Sequence, residues 1–135
     1  MSNSEKVNKF LTDAKVFYLS TVDGDKPRSR PLGLHKLLND KVYLGVGQFK
    51  EVYKQLEKNP NCEVVALKEG GEWIRINGKA VLETDFKLAD EFLGEEKNKH
   101  LKEMYEKNNW KLMIFHIEGK VEIIKMMTVA ESFEI

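Results

Sequence analysis

Short runs of alternating apolar and polar residues, cut at close intervals by turn residues, limit what this chain can fold into. Trp73 to Glu83 is the clearest. Ile74, Ile76, Ala80 and Leu82 fall on one face of an extended strand, and Trp73, Arg75, Asn77 and Lys79 on the other. Val16 to Val22 is rich in β-branched and aromatic residues and stops at Asp23-Gly24-Asp25, a hairpin signal that returns the chain as a strand from Arg28 to Leu38. Asn39-Asp40 then turns into Val42 to Val46. Cys62 to Leu67 reads as a buried strand ended by Glu69-Gly70-Gly71-Glu72. Leu112 to Ile117 and Val121 to Met126 read as an antiparallel pair around Glu118-Gly119-Lys120. Pro31 has no N–H for a ladder, so it marks an edge, a bulge or a ligand-facing gap. About six or seven short, mostly antiparallel strands predict a mainly β protein, a small closed or nearly closed barrel with peripheral helices.

The helices carry the other periodicity. Ser4-Glu5-Lys6-Val7 opens one with Val7, Phe10, Leu11 and Ala14 on its apolar face. Phe49, Val52, Tyr53 and Leu56 fall at i, i+3, i+4 and i+7 of a second, which ends near Lys58-Asn59-Pro60 because proline forbids continuation. Asp85 can cap a third containing Phe86, Ala89, Phe92 and Leu93. Lys97 to Lys107 predicts a fourth with Leu101, Met104 and Tyr105 inward. No repeat, linker or low-complexity segment interrupts the pattern, which predicts one domain over residues 1–135.

Twenty-two basic residues balance 22 acidic ones, so broad electrostatic attraction to nucleic acid is not expected. Cys62 is the only cysteine, which excludes an intrachain disulfide and points to a reducing, cytoplasmic setting. The first residues lack the apolar core of a signal peptide, and no apolar run is long enough to span a bilayer. A cytoplasmic protein without membrane or nucleic-acid partners is the expectation.

Only three of the basic residues are arginines, and two of them, Arg28 and Arg30, stand two positions apart in a stretch, Lys26 to Asn39, that holds no Asp or Glu. The planar guanidinium grips carboxylate or phosphate oxygens bidentately, which lysine cannot do. Residues i and i+2 of a strand share a face, so the pair predicts either an anion pocket or two ordinary surface arginines. Val42 to Val46 leads through Gly47-Gln48 into a helix beginning near Phe49 or Lys50, and a helix start offers unpaired amides and a positive dipole end to an anion. Gly45 and Gly47 permit close backbone approach, and Lys50 adds charge in the first turn. Trp73 and Arg75 share a strand face, where they either form a partly covered cation–π pair or cover a planar ligand or subunit interface. Other chemistry is missing. His35, His100 and His116 have no metal-ligand spacing, Cys62 sits in an apolar strand as a core thiol, and no nucleophile elbow or P-loop is present. No residue is assigned a catalytic or metal-binding role; any catalysis is expected to come from a cofactor.

The segments Phe17-Tyr18-Leu19-Ser20-Thr21-Val22-Asp23-Gly24 and Lys26-Pro27-Arg28-Ser29-Arg30-Pro31-Leu32-Gly33, followed by Val42-Tyr43-Leu44-Gly45, Lys50, Gln55 to Pro60 and Glu72 to Ala80, resemble the pyridoxamine 5′-phosphate oxidase-like family over roughly residues 10 to 125. The resemblance implies an FMN-binding split β-barrel that forms homodimers, with FMN in two clefts at the subunit interface. By position, Arg30 matches the arginine that contacts FMN, and Pro31 and Leu32 line the flavin ring with their backbone. Lys50 matches a basic residue near the phosphate. Gly45 and Val46 lie where the cofactor meets the strand, with Gln48 in the loop beyond. Trp73 holds a position from which the other subunit reaches the flavin. Arg28 and Arg75 join the set at positions where the family varies. The authentic oxidases carry a C-terminal extension with tryptophan and arginines. Here Met127 to Ile135 reads as a short tail after the last strand, and His35 replaces a basic lysine. The chain is therefore more similar to the short general flavoprotein and nitroimidazole-reductase-related branches. The resemblance implies an FMN-dependent oxidoreductase moving electrons or hydride from a reduced nicotinamide donor to a small organic acceptor. The alternatives are a non-catalytic flavin- or haem-binding sensor or storage protein on the same barrel, and a cofactor-free dimeric barrel with its arginines at the interface.

Overall fold

The computed structural model describes all 135 residues, Met1–Ile135. Helix α1 spans Asn3–Ala14 and leads into β1 (Phe17–Asp23), β2 (Lys26–Leu32), β3 (His35–Leu38) and β4 (Lys41–Gly47). Helix α2 (Glu51–Lys58) separates these from β5 (Asn61–Leu67) and β6 (Trp73–Leu82). Helices α3 (Phe86–Leu93) and α4 (Lys99–Lys107) precede β7 (Leu112–Lys125) and β8 (Thr128–Glu134). Every strand pairing is antiparallel. The sheet runs β2-β1-β5-β6-β7-β4-β3, with β8 added to β7. The result is the mainly β, curled and incompletely closed barrel that the alternation predicts.

Its inner face is apolar for the reason the sequence gives. Phe17, Leu19, Val64, Ala66, Ile74, Ile76, Val121 and Ile123 alternate inward and join Val7, Phe10 and Leu11 of α1, which packs against β3, β4 and β5. That helix starts in a capping box: the Ser2 hydroxyl accepts from the Glu5 amide at 3.1 Å, and the Glu5 carboxylate accepts from the Ser2 amide at 3.0 Å. A smaller apolar cluster, including Tyr43, Phe92, Tyr105, Leu112 and Ile114, forms where α3 and α4 cover the outer face of one end of the sheet.

Five readings are corrected. The expected strand Arg28 to Leu38 breaks at Gly33-Leu34, because β2 pairs with β1 while β3 pairs with β4. This link joins the two edge strands of the barrel, and the Leu34 carbonyl accepts from the Gly45 amide at 3.0 Å. Glu118-Gly119-Lys120 is no turn: β7 runs straight through it. Gly119 lies opposite Gly78, and a Cβ on Gly119 would stand 2.1 Å from the Asn77 carbonyl oxygen. The glycines serve close crossing of two long strands, at the point where the other edge of β7 changes partner from β4 to β8. Residues 128–134 are not a tail but the eighth strand. Finally, α4 begins at Lys99 and leaves Met104 exposed, and β5 buries only its even-numbered residues from Cys62 to Ala66.

Candidate functional site

Arg30 sits on the inward face of β2, opposite Leu19 of β1. Strand β2 is an edge, so nothing pairs beyond it, and α2 packs against β1 beside it. The half-buried guanidinium meets only neutral acceptors. Nη1 donates to the Leu19 carbonyl at 3.2 Å and to Thr21 Oγ1 at 2.8 Å, and Nη2 donates to Gln55 Oε1 at 2.9 Å. Thr21 donates in turn to Gln55 Oε1 at 2.6 Å. Burial lowers the Arg30 pKa, and the charge of Arg28 lowers it further. No carboxylate approaches Arg30 within ion-pair distance, so its charge is uncompensated in the protein.

Arg28 shares that face but not that fate. It is exposed, and its Nε lies 3.3 Å from Asp23 Oδ2. Lys50 is not in the first turn of α2; it is the N-cap residue itself, exposed and extended at φ −83° and ψ 152°. No side chain caps this helix start, and the Glu51 and Val52 amides have no protein partner. At 1.5 Å per residue, Lys50 stands about 7 Å along the helix axis from Gln55. The same helix therefore presents an uncapped amide end and the carboxamide that orients Arg30. A groove of about 910 Å³ runs between the β1–β2 turn and α2, with Gln55 in its wall.

The other expected site residues divide. Pro31 is exposed on the outer face, and Leu32 turns inward, half-buried against the core. Gly45 and Val46 are buried in β4 opposite Ile114 and Met113. Close approach at Gly45 is taken by the Leu34 side chain, 2.7 Å from where a Cβ would be, and at Gly47 by the Phe49 ring. Gln48 is exposed, its amide donating to the Lys111 carbonyl at 2.9 Å. Trp73 and Arg75 lie on the outer face of β6, three strands from β2 or about 14 Å at the usual spacing. Arg75 is already engaged, 3.6 Å from Glu63 and 3.5 Å from Glu122, with its guanidinium 4.9 Å from the Trp73 ring centroid. The chain thus brings Arg30 and the α2 start together and keeps Trp73 and Arg75 apart from them.

Sequence reasoning missed Thr21 and Gln55, which are 2% and 9% exposed. The signal was there: Thr21 continues the inward alternation of Phe17 and Leu19, and Gln55 falls three residues after Val52 on the apolar stripe. It also missed the aromatic wall beyond the α2 start, where Phe49 stacks on Trp110 at 4.3 Å with Tyr105 edge-on. Beside it, Phe86, Leu93, Tyr105 and Trp110 line a cleft of about 860 Å³ between α3 and α4. Burial pushes the Cys62 thiol up to about 12, which makes it an inert core group. No three His, Cys, Asp or Glu side chains come together as a metal-holding group.

No helix is long and apolar enough to cross a membrane. No curated protein matches the sequence. Among solved structures, a NimC/NimA family protein from Clostridium acetobutylicum is similar with a TM-score of 0.86 and 28% identity, over 98% of this chain and 92% of that one. General Stress Protein 26 from Bacillus anthracis has a TM-score of 0.72 at 21% identity and 100% coverage of both chains. A haem storage protein from Vibrio cholerae shares the fold, with a TM-score of 0.65 at 15% identity over 90% of this chain and 94% of that one. The family model described as Pyridoxamine 5′-phosphate oxidase matches residues 4–133, nearly the whole length, and the chain belongs to that family.

Proposed function

We propose that this protein is a cytoplasmic, homodimeric FMN-binding flavoprotein that passes electrons or hydride from a reduced nicotinamide donor to a small organic acceptor. The observation that carries the reading is Arg30: a half-buried guanidinium held by Thr21, Gln55 and the Leu19 carbonyl, all neutral, beside a helix start with no cap. Neutral acceptors fix the direction of the guanidinium and leave its charge available. An anion completes such a site, and a phosphate monoester also suits the Glu51 and Val52 amides and Lys50. Arg28 is the weaker partner because Asp23 already holds it.

When bound, FMN supplies the redox chemistry. The chain's own part is to hold and shield. Arg30, Lys50 and the amides of α2 would take the phosphate, and the backbone of Pro31 and Leu32 would approach the ring. Trp73 and Arg75, remote from Arg30 in one protomer, reach a shared cleft from the second subunit in this reading. The cleft beside Tyr105 and Trp110 offers an apolar wall for an organic acceptor. No side chain is assigned a proton-transfer step.

Haem, which the Vibrio cholerae relative stores, is the competing ligand. The histidines here favour flavin. His35 is engaged by Asn8 at 2.8 Å and lies 3.5 Å from Thr12, His116 is packed edge-on against Tyr43, and His100 is exposed. Purified protein titrated with FMN should quench flavin fluorescence, and NADH or NADPH should bleach the flavin band with a quinone or nitroaromatic restoring it. A Soret band on haem addition with no response to FMN overturns the reading.

A further inference from the structure

The C-terminal turn of α4 holds two aromatic rings in place. The Trp110 amide donates to the Tyr105 carbonyl at 2.8 Å and the Asn109 amide to the Glu106 carbonyl at 3.2 Å, with Asn109 left-handed at φ 55°. Asparagine tolerates that conformation, so the turn closes at little cost. Trp110 stands edge-on to Tyr105, 5.8 Å between centroids and 86° between planes, and Phe49 stacks on it from the α2 side. With Phe86 and Leu93 of α3, Tyr105 and Trp110 wall the cleft of about 860 Å³, a size that suits a small organic ligand.

The Tyr105 hydroxyl is the polar group that the fold leaves unused there. The residue is 7% exposed, and its oxygen has no hydrogen-bond partner. A buried tyrosine normally finds one. No sealed side-chain oxygen in the protein lacks a partner, so this one opens onto the cleft that Tyr105 lines. Burial raises its pKa above the usual tyrosine value, so the hydroxyl keeps its proton and can donate. The charges of the lining cancel: exposed Asp90 and Glu106 stand against exposed Lys102 and Lys111, and the Lys111 ammonium already lies 5.1 Å from the Phe86 ring centroid. Neither an anion nor a cation is selected. The complement of this surface is a flat, neutral ring system that brings an acceptor oxygen. A conjugated carbonyl is such an acceptor, and a quinone presents one at the edge of a planar ring.

We propose that the α3–α4 cleft binds a neutral two-ring quinone, its rings packed against Phe86 and Trp110 and one carbonyl oxygen accepting from the Tyr105 hydroxyl. Binding needs no flavin. Only the quinone's role as the organic acceptor rests on the reading above.

Titration of 2-methyl-1,4-naphthoquinone into the full chain carrying W73F, whose only tryptophan is then Trp110, tests the site. Quenching of Trp110 fluorescence should saturate. Adding Y105F should raise the dissociation constant about three- to tenfold, the scale of one neutral hydrogen bond. The urea midpoint should equal or exceed that of the parent, because the lost hydroxyl has no partner in the protein. F86A, which trims an exposed ring, should also raise the dissociation constant at least threefold. Naphthalene, with the same rings and no carbonyl, should compete equally weakly in the parent and in Y105F. Quenching that never saturates, or an unchanged dissociation constant in either folded variant, overturns the site. Tighter binding of 2-naphthoate assigns the cleft to an aromatic acid and likewise overturns it. Saturable quinone binding in a protein that ignores FMN supports the site and removes only the acceptor role, whereas FMN binding without saturable quenching overturns the site alone.

Discussion

Gln55 Oε1 accepts from Arg30 Nη2 at 2.9 Å and from Thr21 Oγ1 at 2.6 Å, so one carboxamide oxygen ties α2 to both β1 and β2. A carboxylate at this position would hold the guanidinium more strongly and cancel its charge. A carboxamide holds the geometry alone. The seam is therefore built to present a cation, and the α2 start contributes amides on the same helix.

Arg30→Ala should weaken FMN binding by about 1.5–3 kcal/mol, or roughly ten- to 150-fold in Kd, the scale of a hydrogen bond to a charged group. Arg28→Ala should cost less, because Asp23 already engages that side chain. Fluorescence titration of FMN reads both. Equal losses at the two positions would mean that Arg30 has no special standing.

Gln55→Glu separates orientation from charge. The new carboxylate should keep the hydrogen bonds of Arg30 and Thr21, leave the urea midpoint unchanged or higher, and still lower FMN affinity about tenfold or more, because the phosphate then meets a neutralised partner. Gln55→Leu should act the other way round on stability: it strips partners from Thr21 and Arg30 and should destabilise by about 1–3 kcal/mol. If the carboxylate variant binds FMN as tightly as wild type, the uncompensated charge of Arg30 is not what recruits the ligand.

The barrel was readable because alternation on β1 and β6 records which face is buried, and Pro31, which its missing N–H assigned to an edge, a bulge or a ligand-facing gap, falls on the edge strand β2. Reading failed where residue type points one way locally and the tertiary partner another. Gly119 looks like a turn until Gly78 is found opposite it. Strand β8 is hidden because Met126-Met127 lacks turn chemistry and only Glu131 and Phe133 of the strand turn toward partial cover. Of the site, Arg30 and the α2 start were visible as charge and spacing. Thr21 and Gln55 were not, since their role exists only once residues 21, 30 and 55 meet across three elements.

Gly119→Ala should destabilise by about 3 kcal/mol, the upper end of overpacking, because its Cβ would lie 2.1 Å from the Asn77 carbonyl oxygen and 2.6 Å from Gly78 Cα. Both obstacles are backbone and cannot rotate away. Gly33→Ala is the contrast, with its nearest neighbour, the Lys15 carbonyl oxygen, at 3.5 Å, and should be tolerated. Urea midpoints that match for the two variants would refute the close crossing of β6 and β7.

Acid should loosen the fold through two histidines. Burial is the first cause lowering the pKa of His35, with Lys97 adding to it and Glu95 opposing. Burial again comes first for His116, which is 9% exposed, with Lys41 adding and Glu118 and Glu83 opposing. Both folded values lie below the usual 6.5, so at pH values around and below 6.5 the unfolded chain binds more protons than the native one. Stability from these groups is present above pH 6.5 and is lost as pH falls from there through the folded values. The urea midpoint should therefore be level near pH 7.5 and decline by pH 5, and His116→Leu should reduce the slope of that decline whatever it does to the midpoint at neutral pH. His35→Gln can keep a donor toward Asn8 and should reduce the slope in the same way. Should both variants retain the full wild-type slope, the loss in acid belongs to carboxylates and the two imidazoles are not buried against protonation.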